Sequence, residues 1–307
     1  MQRDTYITPR PATHQDLTAV HEPAYVSLVE RFCAALPHGR TAQLPTGDTV
    51  VAAQSYAIAL LAAGAAITAA SAKPQQPLLA VVRPPGHHAG PGWGMGFCVF
   101  NNVAIAAQRA RQRGAVLIVD FDYHHGNGTQ AWVERELSSG AALAYVSTHA
   151  YPAYPGTGAF AESRFLPQGF IVDLPLAHST PTDDFVAVWR ALLPPLVRRL
   201  KPQTILVSAG FDFIAGDPIA GLPVSADAVD ALCALLRVTA AEHDCALALV
   251  LEGGYSLPNL TRSGLAVARA FGAAAAALRG GSFEAAGELP QDAALRDMTR
   301  EILSAVG

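Results

Sequence analysis

The sequence predicts a single α/β domain with a mostly parallel sheet and helices on both of its faces. Three observations carry that expectation. The chain has 307 residues, 51% hydrophobic and only 15% charged, so it can bury a large core and is not disordered as a whole. Six short runs rich in Val, Ile and Leu mostly lack polar alternation, as strands covered on both faces do. Helical patterns lie between them, and alternating strands and helices imply parallel pairing through crossovers. No internal repeat and no Ser/Gly linker divides residues 1–307, so one domain is expected.

In order, two helices open the chain, Thr13–Leu36 and Asp48–Ala72, the second with Asp48 as its cap. Thr49–Ala72 carries no charge, but it is mostly Ala with Gln54, Ser55 and Gly64 inside it. A buried helix is expected there, not a membrane span, because Ala contributes little to insertion. The first strand is Leu78–Val82. A helix over Asn101–Arg113 ends at Gly114, just before strand Ala115–Asp120. Helix Thr129–Leu137 leads to strands Ala142–Ser147 and Phe170–Leu174. Helix Asp183–Leu200 precedes strand Thr204–Ser208. Helix Ser225–His243 opens on Ser225 with Asp227 in its first turn, and strand Ala246–Leu251 follows. A helix over Pro258–Leu278 and a peripheral one after Ala285 complete the chain. Trp132 and Trp189 fall inside helical patterns and are assigned to the core.

Lys plus Arg is 21 and Asp plus Glu is 25, a net charge of −4, which argues against a nucleic-acid binder held by phosphate contacts. Cys33, Cys98, Cys233 and Cys245 form no C-x-x-C pair, so neither a cysteine zinc site nor a disulfide scaffold is expected. A reducing, cytoplasmic setting fits that usage. The opening MQRDTYITPRPATHQD has no apolar h-region, so no secretory signal is expected. No G-x-S-x-G, P-loop or dinucleotide fingerprint is present.

The polar residues gather where a parallel sheet binds ligands, beyond the carboxyl ends of its strands. Five strands run directly into such clusters. These are Arg83-Pro84-Pro85-Gly86-His87-His88, Phe121-Asp122-Tyr123-His124-His125-Gly126-Asn127, Thr148-His149, Ala209-Gly210-Phe211-Asp212 and Glu252-Gly253-Gly254-Tyr255. In extended backbone Asp120, Asp122 and His124 share a face. With Asp212 from another strand they offer carboxylates and an imidazole to one divalent ion. Zinc in a catalytic role suits that set, and iron or cobalt also fits. A lone Asp-x-His serves equally as a turn cap; the neighbouring clusters raise the metal reading. Adjacent His87 and His88 diverge too much to ligate one ion and suit proton transfer, with Asp120 and Asn127 as candidate partners. Tyr255 can donate to a developing oxyanion, or simply pack as a lid. Phe97, after Gly96, and Tyr154 sit on glycine-rich loops and can line a narrow apolar channel. Cys98 reads as an inert buried thiol.

Taken together, Arg83–Ala89, Gly96-Phe97-Cys98-Val99-Phe100-Asn101-Asn102, Asp120–Gln130, Tyr154-Pro155-Gly156-Thr157-Gly158, Gly210-Phe211-Asp212 with Gly216-Asp217-Pro218, and Glu252–Tyr255 resemble the histone deacetylase and acetylpolyamine amidohydrolase family, in its class II and bacterial flavour. The resemblance runs over about residues 11–270. It implies the arginase–deacetylase α/β fold and metal-assisted hydrolysis of an acyl amide. It implies zinc on Asp122, His124 and Asp212, catalytic His87 and His88, and Tyr255 as oxyanion donor. It implies that Asp120 partners His87 and joins Ser147 and main-chain carbonyls, Thr148 among them, around a structural potassium ion. Asn127 stands where some members carry an aspartate beside the second histidine, so His88 is expected to be less basic than His87. Phe97 and Tyr154, with Gly96, match the walls of an acyl-lysine tunnel.

Polyamine-specific relatives can carry glutamate directly after Gly-Asp-Pro; Ile219 stands here, which favours acyl-lysine or another neutral-chain amide over acetylpolyamines. The expected partner is thus a small-molecule or peptide acyl amide. A non-catalytic acyl-ligand binding module is the rival of another class. The family's opening strand and rim loop are missing before Pro11. That implies a shallower mouth and an apolar edge for a homo-oligomer to cover.

Overall fold

A computed structural model describes residues 6–278 and 288–307 of the chain. Residues 1–5, the first part of the opening segment MQRDTYITPRPATHQD, and 279–287, which include Ala285, lie outside the described residues. The described elements are α1 (His14–Thr18), α2 (Pro23–Ala35), β1 (Thr41–Gln43), β2 (Val50–Ala52), α3 (Ser55–Ala69), β3 (Leu78–Ala80), α4 (Asn102–Ala110), β4 (Val116–Asp120), α5 (Asn127–Ser138), β5 (Leu143–Ala150), β6 (Arg164–Leu166), β7 (Gly169–Leu176), α6 (Thr182–Leu200), β8 (Thr204–Ala209), α7 (Asp227–Glu242), β9 (Ala246–Leu251), α8 (Leu257–Gly272), α9 (Ala275–Leu278) and α10 (Ala293–Val306).

Seven strands form one sheet in the order β3-β9-β8-β4-β5-β7-β6, parallel throughout except for β6, which pairs antiparallel with β7. This is the α/β architecture the sequence predicts. The strands are apolar on both faces because both are covered. Leu117 and Val119 of β4 pack with α6, α7, α8 and α10 in one core. Val116 and Ile118, pointing the other way, pack with α2, α3, α4 and α5 in the second. Trp132 and Trp189 are both buried. The strand order reverses beside β4, between β5 on one side and β8 on the other, and a ligand crevice belongs at such a point.

The structure corrects several boundaries. The single helix expected over Thr13–Leu36 is two, broken before Pro23, which starts α2 because it needs no N–H there. In the turn between them His21 is buried; its Nδ1 donates to the Gly90 carbonyl (2.8 Å) and its Nε2 accepts from the Asn101 N–H (2.9 Å). Asp48 caps no helix. Thr41–Gln43 and Val50–Ala52 pair as a hairpin, so α3 begins only at Ser55 and Asp48 lies in the hairpin loop. The edge strand β3 stops at Ala80, and Val81 is exposed. Thr148 and His149 belong to β5, which runs on to Ala150 against a long β7. No helix among the described residues is long and apolar enough to cross a membrane. All four cysteines are buried and free.

Candidate active site and metal centre

The polar loops do converge on one rim. Asp122 and His124 follow β4, and Asp212 follows its neighbour β8. His124 Nδ1 lies 3.0 Å from Asp212 Oδ2 and 3.3 Å from Asp122 Oδ1. One ligand atom from each of the three lies within 4.8 Å of the others, and both carboxylates are buried. The remaining carboxylate oxygens are held by main-chain donors: Asp122 Oδ2 accepts from Gly253 N (2.8 Å) and Asp212 Oδ1 from Tyr123 N (3.0 Å). Burial and the Asp122 charge push the Asp212 carboxyl up to about 6, while the two carboxylates outweigh burial at His124 and raise its pKa to about 9. Negative charge packed this tightly away from water, on preset oxygen and nitrogen donors, fits a divalent cation. The glycines here are steric necessities. A Cβ on Gly210 would collide with the Asp122 carboxylate, and one on Gly253 with that of Asp212.

Asp120 does not join this cluster. The chain turns directly after β4, and Asp120 Oδ1 takes the Asp122 N–H at 3.1 Å, an Asx-type turn that directs its other oxygen elsewhere. That oxygen meets His87 Nδ1 at 3.1 Å and the Tyr145 hydroxyl at 3.0 Å. His88 Nδ1 lies 2.9 Å from Asn127 Oδ1, whose amide nitrogen faces Met95 Sδ. A carbonyl oxygen only accepts, so Nδ1 of His88 carries the proton and the neutral ring has its lone pair on Nε2. Burial opposes charge on both rings. At His87 the Asp122 and Asp120 carboxylates outweigh it and raise the pKa to about 10. At His88 burial and the neighbouring His87 push it well below the usual histidine range.

A pocket of about 340 Å³ opens over this floor, walled by Phe97, Tyr154, Ile219 and Tyr255. The Tyr255 ring meets Phe97 edge-on (centroids 5.9 Å apart), and the Arg83 guanidinium lies 5.4 Å from its centroid. Burial and the two Asp carboxylates hold its phenol well above the usual range, so it remains a proton donor. Cys98 is likewise pushed up by burial and stays a thiol.

Three features escaped the sequence reading. Asp48 reaches the mouth from the β1–β2 hairpin and accepts from Gly96 N (2.7 Å) and the Tyr154 hydroxyl (2.9 Å). The Pro45-Thr46-Gly47-Asp48 turn was its only signal. Asp217 takes four main-chain N–H groups: Ile219 and Ala220 on one oxygen, Tyr255 and Ser256 on the other. His125, His149 and Asp173 form a second buried cluster with ligand atoms within 4.8 Å. Its ring nitrogens are all engaged, at 2.7–3.1 Å, by Thr157, Asp173, Ser147 and Gly158, so it is a hydrogen-bonded strut for the Tyr154–Gly158 loop. His149 Nε2 must donate to the Gly158 carbonyl. Ser147 therefore donates to its Nδ1, and it stands opposite Asp120 across β4–β5.

Residues 1–271 match the family model described as the histone deacetylase domain. The chain belongs to the histone deacetylase family. It is 34% identical to the histone deacetylase-like amidohydrolase of Pseudomonas aeruginosa, over 95% of this chain and 77% of that protein. It is 38% identical to the polyamine deacetylase HDAC10 of Homo sapiens, over 85% of this chain but only 40% of that protein. A crystal structure of the HDA15 HD domain superposes with a TM-score of 0.79 at 31% identity, covering 98% of this chain and 80% of that one.

Proposed function

We propose that the protein is a zinc-dependent amidohydrolase that removes acetyl or other acyl groups from lysine side chains or a similar amine. The observation that carries this is the convergence of His87, His88 and Tyr255 on the pocket floor formed by Asp122 and His124, with Asp212 behind them. Those two aspartates and His124 would hold the ion. When bound, zinc supplies Lewis acidity and a water acidified to a pKa of about 7. The rest is done by the chain. The free Nε2 of His88 takes a proton from the attacking water and returns it to the leaving amine. His87, oriented by Asp120 on its Nδ1, presents its ring to the negative charge that builds up beside it. Tyr255 donates its phenolic hydrogen to the oxyanion. Phe97 and Tyr154 keep water from the acyl-bearing arm. The hydroxyl oxygen of Ser147, opposite buried Asp120, suits a structural potassium ion, with the Thr148 carbonyl next in sequence.

Asp48 supports a second reading. It brings a carboxylate to the mouth, which favours an amine substrate with a distal ammonium, an acetylpolyamine; Ile219 at the same rim favours the acyl-lysine reading. Steady-state kinetics of the zinc-loaded protein on acyl-lysine peptides and on N-acetylputrescine decide between them. Higher kcat/KM on the peptide is expected. A strong preference for the diamine would overturn the choice, and turnover no faster than buffer would leave only a binding module.

A further inference from the structure

Glu252 is fully buried, and its carboxylate oxygens make three hydrogen bonds, none of them to a cation. Oε2 accepts from Gly86 N at 2.6 Å and from His87 N at 3.1 Å; Oε1 meets the Ser208 hydroxyl at 3.1 Å. The nearby Arg83 guanidinium does not pair with it, since Nη1 reaches the Glu252 main-chain oxygen at 3.2 Å. One side chain from the end of β9 is therefore fastened to β8 and to the turn that presents both histidines.

We propose that Glu252 is a positioning residue for His87: it fixes the main chain at Gly86 and His87 so that the ring meets Asp120. This rests on the reading that His87 acts in amide hydrolysis. Pro84 and Pro85 have no N–H with which to anchor the turn themselves, so its next two donors settle its height over the sheet. The role is geometric and indifferent to charge. As a carboxylate, Glu252 accepts all three bonds. As an acid, it gives a proton to Ser208 and still accepts both main-chain donors on Oε2. Glutamine reproduces that second pattern, with its carbonyl on the two N–H groups and its amide nitrogen on Ser208. Alanine reproduces none of it, and a displacement of about 1 Å at a reacting group can cost about 100-fold in rate.

The test compares Glu252→Ala and Glu252→Gln by two independent readouts. Amide hydrogen exchange of a peptide spanning residues 83–88 needs no turnover, and the two prolines leave it few other amides to report. Glu252→Ala is expected to lose protection at Gly86 and His87, and Glu252→Gln to retain it. In zinc-loaded protein, kcat should fall about 100-fold in the alanine variant with KM within about threefold, and the glutamine variant should recover most of the loss. Wild-type protection in the alanine variant, or lost protection in a folded glutamine variant, overturns the proposal. If the alanine variant does not fold, the glutamine variant alone decides by the same criterion. A wild-type protein inactive on every acyl amide would sink the functional reading while the exchange result still judged the positioning.

Discussion

Replacing Tyr255 by phenylalanine removes one hydroxyl and leaves the ring between Phe97 and Arg83. If that hydroxyl holds the oxyanion, Tyr255→Phe keeps its full metal content and loses at least about 100-fold in kcat, near 3 kcal/mol. Undiminished turnover would refute the role. Asp212→Ala does the reverse: it takes one of two carboxylates from the cluster, and elemental analysis should find the metal lost. That Asp122, His124 and Asp212 cluster, with His87, His88 and Tyr255 around the same pocket, was legible in the sequence because each follows a strand and a parallel sheet brings those ends together. Asp48 was not readable. Asp next to a helical pattern is a good cap, and only the pairing of Thr41–Gln43 with Val50–Ala52 carries it to the mouth.

At the scale of elements, the site is a set of loops held at fixed heights by buried acceptors. Asp217 ties the Ile219 loop to the main chain of Tyr255 with four N–H groups shared between two oxygens. Asparagine has a single acceptor oxygen, so its amide nitrogen would face two donors. Asp217→Asn should therefore cost about 2 kcal/mol in urea unfolding and raise KM as well as lower kcat, because mouth and phenol move together. An unchanged midpoint with unchanged kinetics would contradict this. The long strands and helices were legible because unbroken apolar runs and 3.6-residue periodicity persist over enough residues to be seen. The short hairpin strands β1, β2 and β6 were not, since three residues carry no period and exist as strands only through their partner; β3, equally short, was seen because Leu78–Val82 is apolar throughout.

For the whole molecule, the α1–α2 turn is joined to the histidine loop and to α4 through His21, which must be neutral to donate to Gly90 and accept from Asn101 at once. Burial outweighs its carbonyl partners and lowers its pKa to about 4, against 6.5 for a free histidine. Between those two values the unfolded chain binds the extra proton and the folded one does not. Stability is therefore full above pH 6.5, falls as pH drops toward 4, and levels off below it. The loss from this group is at most about 3 kcal/mol. Glutamine supplies the same donor and acceptor without titrating, so His21→Gln should flatten that part of the stability profile in denaturant titrations. An identical slope in both proteins would show that other groups set it.

The layered α/β plan, the grouping of Asp122, His124 and Asp212 and the family were all legible in the sequence. Burial on both sheet faces forces apolar runs, and the loops after parallel strands meet on one rim. The folded chain alone reveals that Asp120 turns away from the cluster to meet His87, that Asp48 reaches the mouth, and that Asp217 and Glu252 hold the loops of Tyr255 and His87. Each of these depends on main-chain donors brought from distant segments. A carboxylate gives no sign in sequence of which N–H groups will reach it.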